Sequence, residues 1–435
     1  MSYIIDALYE YLIEDGEKLK GKFQAFKNEL LEEVGFHIVK LWNEMEESDI
    51  KPLKKAIAVD GSIFRCALDD GGSLVIVSSY LAGKDISETS KARCAVIYPP
   101  SKSFGFILMR TLELELARQA ISVMKSGDVL LLDGSLYGIM CHLPLTPTGS
   151  PPEYGEALIN FYDELTNLLI EAEQKKITLI SISKSSSSRF MKEYILEKLY
   201  SDEVRDLRDR AILEPKDLQH IETLPHLFYE NPAEALEILK RLMKKYGTYL
   251  KRLYSISQEF VRKTPDLLLL KTYTQGAGFT YPILLGPSLK LQRLMERMKD
   301  DIGKATLHYF KIGMEYANGV RRLLENMFKI CSICSFYIRF SSQDYPLKVD
   351  VPSYVLDIND RFFEVTELKL IKDPTVRQIV YILREQYVNR EIHNVWLYEA
   401  DRKTKITRKD REAIYQILLK TLGQITFERR MQPIS

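Results

Sequence analysis

The amino-acid sequence predicts an α/β fold with a mixed sheet at its core. Short runs rich in β-branched and apolar residues, separated by Gly-Gly and polar loops, are typical of strands. Between them, apolar residues recur every three or four positions, which is typical of amphipathic helices. In chain order these segments predict β-β-β-α-β-α-β. The strands are expected at 56–64, 74–81, 92–98, 129–133 and 177–182, and the helices at 105–125 and 154–175.

The fourth strand has the clearest pattern. Residues 128–133 read Asp-Val-Leu-Leu-Leu-Asp, a continuous apolar run between two acids. Central strands show such runs because neither of their faces meets water. The helix before it places Met109, Leu112 and Leu116 on one face, so we expect that face to pack on the sheet.

The rest of the chain is divided by changes in this pattern. Residues 1–54 form an N-terminal helical region, and the α/β core occupies 55–188. Residues 189–330 are mostly helical and rich in Lys, Arg and Glu, which indicates a helical insertion. Residues 331–435 begin with β-forming residues and continue into helices.

Composition excludes several classes of protein. The 435 residues are 46% hydrophobic and 28% charged, so the chain can form a sizeable core and is not globally disordered. Its net charge is +1, so binding to nucleic acid would need local basic patches. Five cysteines are too few for a disulfide scaffold. Since the sequence has no signal-peptide pattern and no apolar stretch of about 18 residues, we expect a soluble intracellular protein without a membrane span.

The motif Asp-Gly-Ser occurs twice, beginning at Asp60 and at Asp133. Each copy follows at least four apolar residues, so each Asp is predicted at the end of a buried strand. Functional sites of open α/β sheets gather at such ends. Two carboxylates there would repel each other unless a cation lay between them, and Mg²⁺ and Mn²⁺ prefer oxygen ligands. The alternative is that the motifs only form turns.

The helix between the two motifs supplies a third carboxylate. Glu113 lies among the apolar residues of the packing face, where a lone buried Glu is costly unless it is paired or binds a metal. Glu115 falls toward the flank of the same helix. Helical position favours Glu113, but both glutamates stay candidates.

This order of elements, with Asp on the first strand, Glu on the first helix and Asp on the fourth strand, resembles the ribonuclease H-like superfamily. The resemblance implies a fourth acidic residue on a C-terminal helix, so that the C-terminal elements return to the core and complete the site. Asp401 is the candidate for that position. Two metal ions in such a site can activate water and stabilise the leaving oxygen of a phosphodiester.

Three motifs in order extend the resemblance. Ala-Val-Asp-Gly-Ser from residue 58, Leu-Leu-Asp-Gly-Ser-Leu from residue 131, and Ala400-Asp401 followed by Lys-Ile-Thr from residue 405 are similar to motifs of the NurA nuclease family. The likeness runs from about residue 55 to 422. It implies a prokaryotic, mostly archaeal and cytoplasmic nuclease that processes DNA ends with HerA, a hexameric DNA-translocating ATPase. It also implies a homodimer and 5′-to-3′ trimming of DNA ends in recombinational repair.

The resemblance also implies roles for individual residues. Asp60, Asp133 and one of the two helix glutamates would hold Mn²⁺ or Mg²⁺, with two ions expected. Asp401 stands where many family members have His, and an Asp there is still an oxygen ligand. His393 is the second candidate for this late position, with a structural role as its alternative.

Four basic residues are candidates for contacts with DNA phosphates. The resemblance implies that Lys184 lies near the scissile phosphate. Lys184 and Arg189 belong to a Ser-rich segment for which a linker is the alternative. Lys244 and Lys245 lie in a basic helical stretch with interleaved tyrosines, where a solvated helix face is the alternative. The sequence has no P-loop motif, so a partner would have to supply any P-loop ATP hydrolysis.

We therefore predict a metal-dependent DNA nuclease with 5′-to-3′ exonuclease and single-strand endonuclease activity. Two alternatives stay open. One is another ribonuclease H-like enzyme, such as a resolvase or an RNA-cutting nuclease. The other is a non-catalytic DNA clamp or adaptor of an ATPase, which the acidic residues disfavour because a clamp gains little from clustered carboxylates.

Overall fold

The computed structural model describes residues 29–45, 55–68, 70–84 and 88–422. The chain forms two compact units. The helical unit comprises residues 1–43 and 187–275, and the sheet unit comprises residues 44–186 and 276–435. Most of the predicted N-terminal helical region, 1–54, lies outside the described residues.

The strands are numbered here in chain order. They are β1 (Trp42–Glu44), β2 (Ala56–Ala67), β3 (Ser73–Gly83), β4 (Thr89–Ile97), β5 (Val129–Asp133), β6 (Thr178–Ser183), β7 (Gly278–Thr280), β8 (Ile283–Leu285), β9 (Ile333–Arg339), β10 (Leu347–Pro352) and β11 (Lys369–Leu370). The five strands predicted in the core therefore correspond to β2 to β6.

The sheet of the sheet unit is mixed, and the predicted α/β class is confirmed. Its strands follow the order β7-β9-β10-β6-β5-β2-β3-β4, and β8 pairs with β9 and β11. Strands β2, β5 and β6 are parallel, and antiparallel neighbours extend the sheet on both sides. The parallel strands are central, which accounts for the continuous apolar sequence of β5.

Helices cover both faces of this sheet. The α-helices of the unit are Lys102–Val123, Leu136–Met140, Tyr154–Lys175, Leu289–Asp300, Ile302–Lys304, Ala317–Met327, Thr375–Glu385, Val395–Thr404 and Arg408–Leu422. Two of them frame the candidate site: Lys102–Val123 is called the first core helix and Val395–Thr404 the site helix.

The two faces of the sheet have separate apolar cores. Ile57 and Val59 of β2 pack into the cluster that contains the first core helix, and this side is called the back face. Ala56 and Ala58 pack into the cluster that contains Leu397 of the site helix, and this side is called the front face. Because successive strand residues alternate between faces, the even-numbered residues of β2 belong to the front face.

The first core helix begins where its sequence provides a cap. The hydroxyl of Ser101 accepts a hydrogen bond from the amide of Phe104 at 3.3 Å, which satisfies one of the free amides of the first turn. Leu112, Leu116 and Ala117 are buried against the sheet, as the apolar spacing predicts.

The described residues of the helical unit are mostly helical. Its α-helices are Glu29–Leu41, Phe190–Asp209, Pro215–Glu230, Pro232–Tyr246, Lys251–Val261 and Asp266–Tyr273. The buried carboxylate of Asp266 accepts the amides of Met191 and Lys192, both at 2.9 Å, and so caps the start of one helix with a negative charge.

The compact units divide the predicted insertion, 189–330, near residue 275. Residues 276–330 belong to the sheet unit, because β7 and β8 pair with β9. These two strands have three residues each, too few to show a strand period in the sequence. Over the described ranges, no helix has the length and apolar character needed to cross a membrane.

Candidate active site

Asp60 and Asp133 lie at the same level of two neighbouring parallel strands. The pairing of β2 with β5 ends at Val59 and Leu132, and each aspartate is the next residue of its strand. β5 ends at Asp133, as expected. Asp60 differs from the expectation, because β2 continues to Ala67 through its antiparallel pairing with β3. By strand alternation both aspartates belong to the front face.

Glu113 reaches the same point from the back face. It is buried on the first core helix, and its carboxylate lies against Gly61. Gly61 follows Asp60, so a side chain at this position would point to the back face. A Cβ there would overlap the carboxylate of Glu113. This glycine is therefore required by a close approach, not by a turn.

Arg110 links Glu113 to the loop after β5. Its Nη1 atom donates to Glu113 Oε2 at 2.5 Å and to the backbone carbonyl of Asp133 at 3.0 Å. Gly134 has a φ of +93°, and a Cβ there would lie 2.6 Å from Arg110 Nη2. Sequence analysis missed Arg110. Its signal was the spacing of three residues before Glu113, at which helical Arg and Glu form ion pairs.

A buried ion pair anchors the same loop from β10. Lys348 Nζ lies 2.6 Å from Asp350 Oδ1, and both side chains are almost completely buried. Asp350 Oδ2 accepts the hydroxyl of Ser135 at 2.8 Å and the amide of Tyr137 at 3.1 Å. Sequence analysis missed this pair as well. Its signal was Lys-Val-Asp in a β-rich run, which places two charges on one face of a strand.

Asp401 lies on the site helix, which packs against β2 and β3. Asn394 caps the start of this helix by accepting two first-turn amides, both at 3.1 Å. Near its end, the hydroxyl of Ser78 on β3 donates to the backbone carbonyl of Thr404 at 3.2 Å. Asp401 is partly exposed and pairs with Lys405 at 2.6 Å.

Burial and mutual repulsion change the pKa values of the carboxylates of the site. Burial, followed by repulsion from Asp133 and Glu113, raises the pKa of Asp60 to about 7. Burial also raises the pKa of Glu113, although Arg110 opposes the rise. Burial raises the pKa of Asp133, and Asp401 adds to the repulsion at both aspartates. The site therefore concentrates negative charge at a point where water solvates it poorly.

Lys184 and His393 lie within electrostatic reach of these carboxylates. Lys184 follows β6 and is exposed. Its positive charge opposes the rise in the pKa of Asp133 and helps to lower the pKa of His393. Burial, followed by the charge of Lys184, lowers the pKa of His393 to about 4, so its ring is neutral at pH 7. Its Nε2 atom is buried and makes no hydrogen bond to any residue that the structure describes.

Glu115 does not join the carboxylates. It lies on the flank of the first core helix and pairs with Arg93 at 2.8 Å and Lys91 at 3.5 Å, both on β4. Glu113 and Glu115 are two residues apart on a helix, so they point to different sides. Of the two glutamates, the structure brings only Glu113 to Asp60.

The other candidate DNA-binding residues lie in the helical unit. Arg189 pairs with Glu193 at 3.2 Å. Lys245 pairs with Glu214 at 2.6 Å and with Asp217 at 2.9 Å, so acidic neighbours already balance its charge. Lys244 is exposed on the same helix.

Two features of the site fit a divalent cation. Glu113 Oε1 is buried and makes no hydrogen bond within the described part of the chain, and an unpaired buried oxygen is costly. Asp60, Asp133 and Glu113 also offer only oxygen ligands, which Mg²⁺ and Mn²⁺ prefer. In the present arrangement, no group of three or more His, Cys, Asp or Glu side chains among the described residues is placed to hold a metal ion.

The fold and the site together define an α/β protein with an acidic centre at the middle of a mixed sheet. A family model described as the NurA domain matches residues 54–406. The chain belongs to the NurA family, which confirms the resemblance found in the sequence.

Individual relatives are more distant. The chain is 29% identical over 137 residues to the DNA double-strand break repair nuclease NurA of Sulfolobus acidocaldarius, a match that spans 30% of this chain and only 40% of that relative. The crystal structure of the NurA nuclease from Sulfolobus solfataricus is similar with a TM-score of 0.53 and 15% identity, over 97% of this chain and 98% of that one. At this identity the likeness shows the fold alone.

A third match is weaker. A crystal structure of NurA bound to dAMP and manganese has a TM-score of 0.38 and 13% identity, over 97% of each chain. That similarity is too low to transfer the ligands or their positions to this chain.

Proposed function

We propose that this protein is a metal-dependent deoxyribonuclease that processes DNA ends for recombinational repair. One observation supports the proposal: Asp60 and Asp133 follow the last paired residues of neighbouring parallel strands, and Glu113 lies against Gly61, next to Asp60. Asp401, on the site helix, repels both aspartates electrostatically and so adds to the rise in their pKa values. Membership of the NurA family supports the same activity.

The proposed metal site consists of four carboxylates. Asp60, Asp133, Glu113 and Asp401 are the proposed ligands of two Mn²⁺ or Mg²⁺ ions. When bound, such ions activate water and stabilise the leaving oxygen of a phosphodiester. Without them, the guanidinium of Arg110 is the positive charge that holds Glu113 and the Asp133 loop together.

Basic and neutral side chains next to the carboxylates receive the substrate. Lys184 is exposed and lies within electrostatic reach of Asp133, so it is the proposed contact to the phosphate at the cleavage point. His393 is the second candidate for the late position. Its ring is neutral at pH 7, and its buried Nε2 atom makes no hydrogen bond within the described residues, so it is available to bond to a group of the substrate.

A cleavage assay tests this proposal. The purified full chain is incubated with end-labelled single-stranded DNA, duplex DNA, branched DNA and RNA, in Mn²⁺, Mg²⁺ or EDTA. We expect metal-dependent degradation of single-stranded DNA, with 5′-to-3′ polarity on end-labelled strands. Preferred cutting of branched DNA or RNA would favour the resolvase or the RNA-cutting nuclease, and binding without cleavage would favour the clamp.

The two glutamates of the first core helix give a matched pair of variants. Glu113→Gln removes the charge that faces Gly61, so we expect it to abolish cleavage. Glu115→Gln removes a charge that pairs with Arg93 on the flank, so we expect activity close to that of the wild type. Loss of activity in both variants, or in Glu115→Gln alone, would contradict the proposed ligand set.

The partner is proposed from the family resemblance and from the absence of a P-loop in the sequence. Trimming a duplex over long distances separates base-pair steps that are each stabilised by about 1.4 kcal/mol of stacking, and this chain has no motif to supply that energy. We expect the isolated protein to degrade single strands readily and long duplexes poorly. A hexameric HerA-type translocase with ATP should raise duplex degradation and co-purify with the protein, whereas equal rates and no complex would remove the partner.

The assembly and the cellular location are also proposals that rest on the family. We propose a homodimer in a cytoplasmic, archaeal setting. Light scattering of the purified chain measures the mass directly. A mass of one chain, 50.4 kDa, would contradict the dimer.

A further inference from the structure

A pocket of about 150 Å³ adjoins the candidate active site in the sheet unit. Lys184 and His393, which lie within electrostatic reach of the carboxylates, are part of its wall. Asp344, Tyr345 and Arg390 line the rest together with Tyr387 and an apolar edge. Since sites for drug-sized ligands usually exceed about 300 Å³, this pocket has space for one small ring system.

The walls of the pocket are flat and aromatic. The guanidinium of Arg390 lies over the ring of Tyr345, 4.6 Å from its centroid. The rings of Phe340 and Tyr387 stack at 4.8 Å with an interplanar angle of 27°. Tyr345 and Arg390 are both exposed, so solvent reaches this platform. Aromatic rings and guanidinium planes are the surfaces on which unpaired bases stack.

Two buried polar atoms of the residues that line the pocket, Asp344 Oδ2 and His393 Nε2, make no hydrogen bond within the described residues. Asp344 Oδ2 is buried and makes no hydrogen bond to any part of the chain that the structure describes, although Tyr387 bonds to the same carboxylate. An ionised carboxylate oxygen accepts hydrogen bonds and donates none. A ligand that fills the pocket is therefore expected to present an N–H or O–H donor to Asp344.

The charges of the pocket favour a neutral ligand over a free phosphate. Lys184 and Arg390 supply two positive charges, and Asp344 and Glu391 supply two negative charges. A flat, neutral ring with a hydrogen-bond donor at its edge satisfies the stacking platform and the unpaired oxygen at once. The amino groups of adenine, cytosine and guanine are such donors.

We propose that this pocket binds one unpaired nucleobase of the substrate strand, next to the nucleotide that is cleaved. The base stacks on the platform of Tyr345 and Arg390 and donates its amino group to Asp344. Lys184 lines this pocket and lies within electrostatic reach of Asp133, so in this proposal it contacts the phosphate that follows the bound base. The inference rests on the proposed function, since it names a substrate subsite of that active site.

Binding of a fluorescent base tests the pocket without cleavage. The full chain with Asp133→Asn is titrated with short single strands that carry 2-aminopurine at one position, moved along the strand in turn. We expect strong quenching at one position only. Tyr345→Ala should abolish that quenching and weaken binding by roughly fivefold to a hundredfold. Tyr345→Phe, which keeps the ring, should restore both.

Two further variants complete the design. Asp344→Asn should remove the preference for an amino-bearing base over thymine at the quenched position, because an amide no longer offers the charged acceptor. Tyr316→Ala serves as the control, since Tyr316 is an exposed aromatic residue of the sheet unit that bonds to Glu156 and not to the pocket. It should bind like the parent chain.

The outcomes separate this inference from the proposed function. DNA cleavage together with uniform quenching, or with unchanged binding by Tyr345→Ala, would overturn the pocket and leave the nuclease. Quenching that depends on Tyr345 in a protein that cleaves no DNA would support the pocket and overturn the nuclease. A chain that binds no single strand would overturn both.

Discussion

Replacing Asp60 with asparagine should stabilise the metal-free protein at alkaline pH. Asparagine keeps the size of the side chain and the oxygen that accepts the amide of Gly61 at 2.8 Å. It removes a charge that burial, Asp133 and Glu113 oppose, which together raise the pKa of Asp60 from 3.8 to about 7. The folded protein binds this proton more tightly than the unfolded chain does. Its stability therefore falls as the pH rises from about 4 to about 7.

The magnitude follows from the two pKa values. Each pKa unit corresponds to about 1.4 kcal/mol, so the ionised Asp60 lowers the free energy of unfolding by about 4 kcal/mol at pH 8. At pH 5, by the same linkage, the raised pKa of Asp60 lowers the free energy of unfolding by about 2 kcal/mol. The gain from Asp60→Asn should therefore be about 2 kcal/mol larger at pH 8, an upper limit because Asp133 and Glu113 can take up protons themselves. At about 1 °C per kcal/mol for a chain of 435 residues, this difference corresponds to about 2 °C in Tm.

Thermal unfolding of the full chain in EDTA at pH 5 and pH 8 measures this difference. Asp357→Asn is the control, because Asp357 is exposed at a turn with a left-handed backbone that asparagine also adopts. Adding Mn²⁺ should then raise the Tm of the wild type more than that of Asp60→Asn, because the ion stabilises the state that binds it. If Asp60→Asn has a lower Tm than the wild type at pH 8, or if its Tm differs from that of the wild type by the same amount at both pH values, the argument from charge repulsion is refuted.

Three other variants give different signatures. Asp401→Asn should cleave DNA far more slowly than His393→Ala, since it removes the charge of a proposed metal ligand. The reverse order in a rate assay would indicate that His393, not Asp401, is the C-terminal residue of the site. Gly61→Ala should abolish cleavage because its Cβ overlaps a buried carboxylate, whereas Gly319→Ala, with no atom near its Cβ, should retain activity; equal activities would contradict the close approach. Asp350→Asn leaves a buried lysine without its counter-charge and should lower the free energy of unfolding by about 3–5 kcal/mol in denaturant titration, and a change below 1 kcal/mol would indicate that water reaches this ion pair.

The fold could be predicted because its periodicities are local. The helix predicted at 105–125 lies at Lys102–Val123, and the one predicted at 154–175 lies at Tyr154–Lys175. The run from 128 to 133 forms the central strand β5 because both of its faces are covered. Strands β7 and β8 escaped prediction because they are too short to show a period, and their pairing with β9 is a long-range contact.

The candidate site could be predicted only in part, for a similar reason. Asp60 and Asp133 stand out because an acid follows an apolar run and precedes glycine. Glu113 and Glu115 could not be separated from sequence, because the choice depends on where the helix meets the sheet. Arg110 was missed because its two acceptors are a helical carboxylate and a backbone carbonyl 23 residues away, and the second of these has no signal in the sequence.

The two Asp-Gly-Ser motifs are alike in sequence and different in physical role. In the first, Gly61 admits a carboxylate from the opposite face of the sheet, within a strand that continues. In the second, Gly134 turns the chain with a positive φ beside Arg110, and the serine bonds to the buried Asp350 of β10. The site helix covers the first motif and β10 holds the second, so both depend on residues beyond 331. The N-terminal core therefore carries Asp60, Glu113 and Asp133, whereas C-terminal elements contact both motifs and carry Asp401.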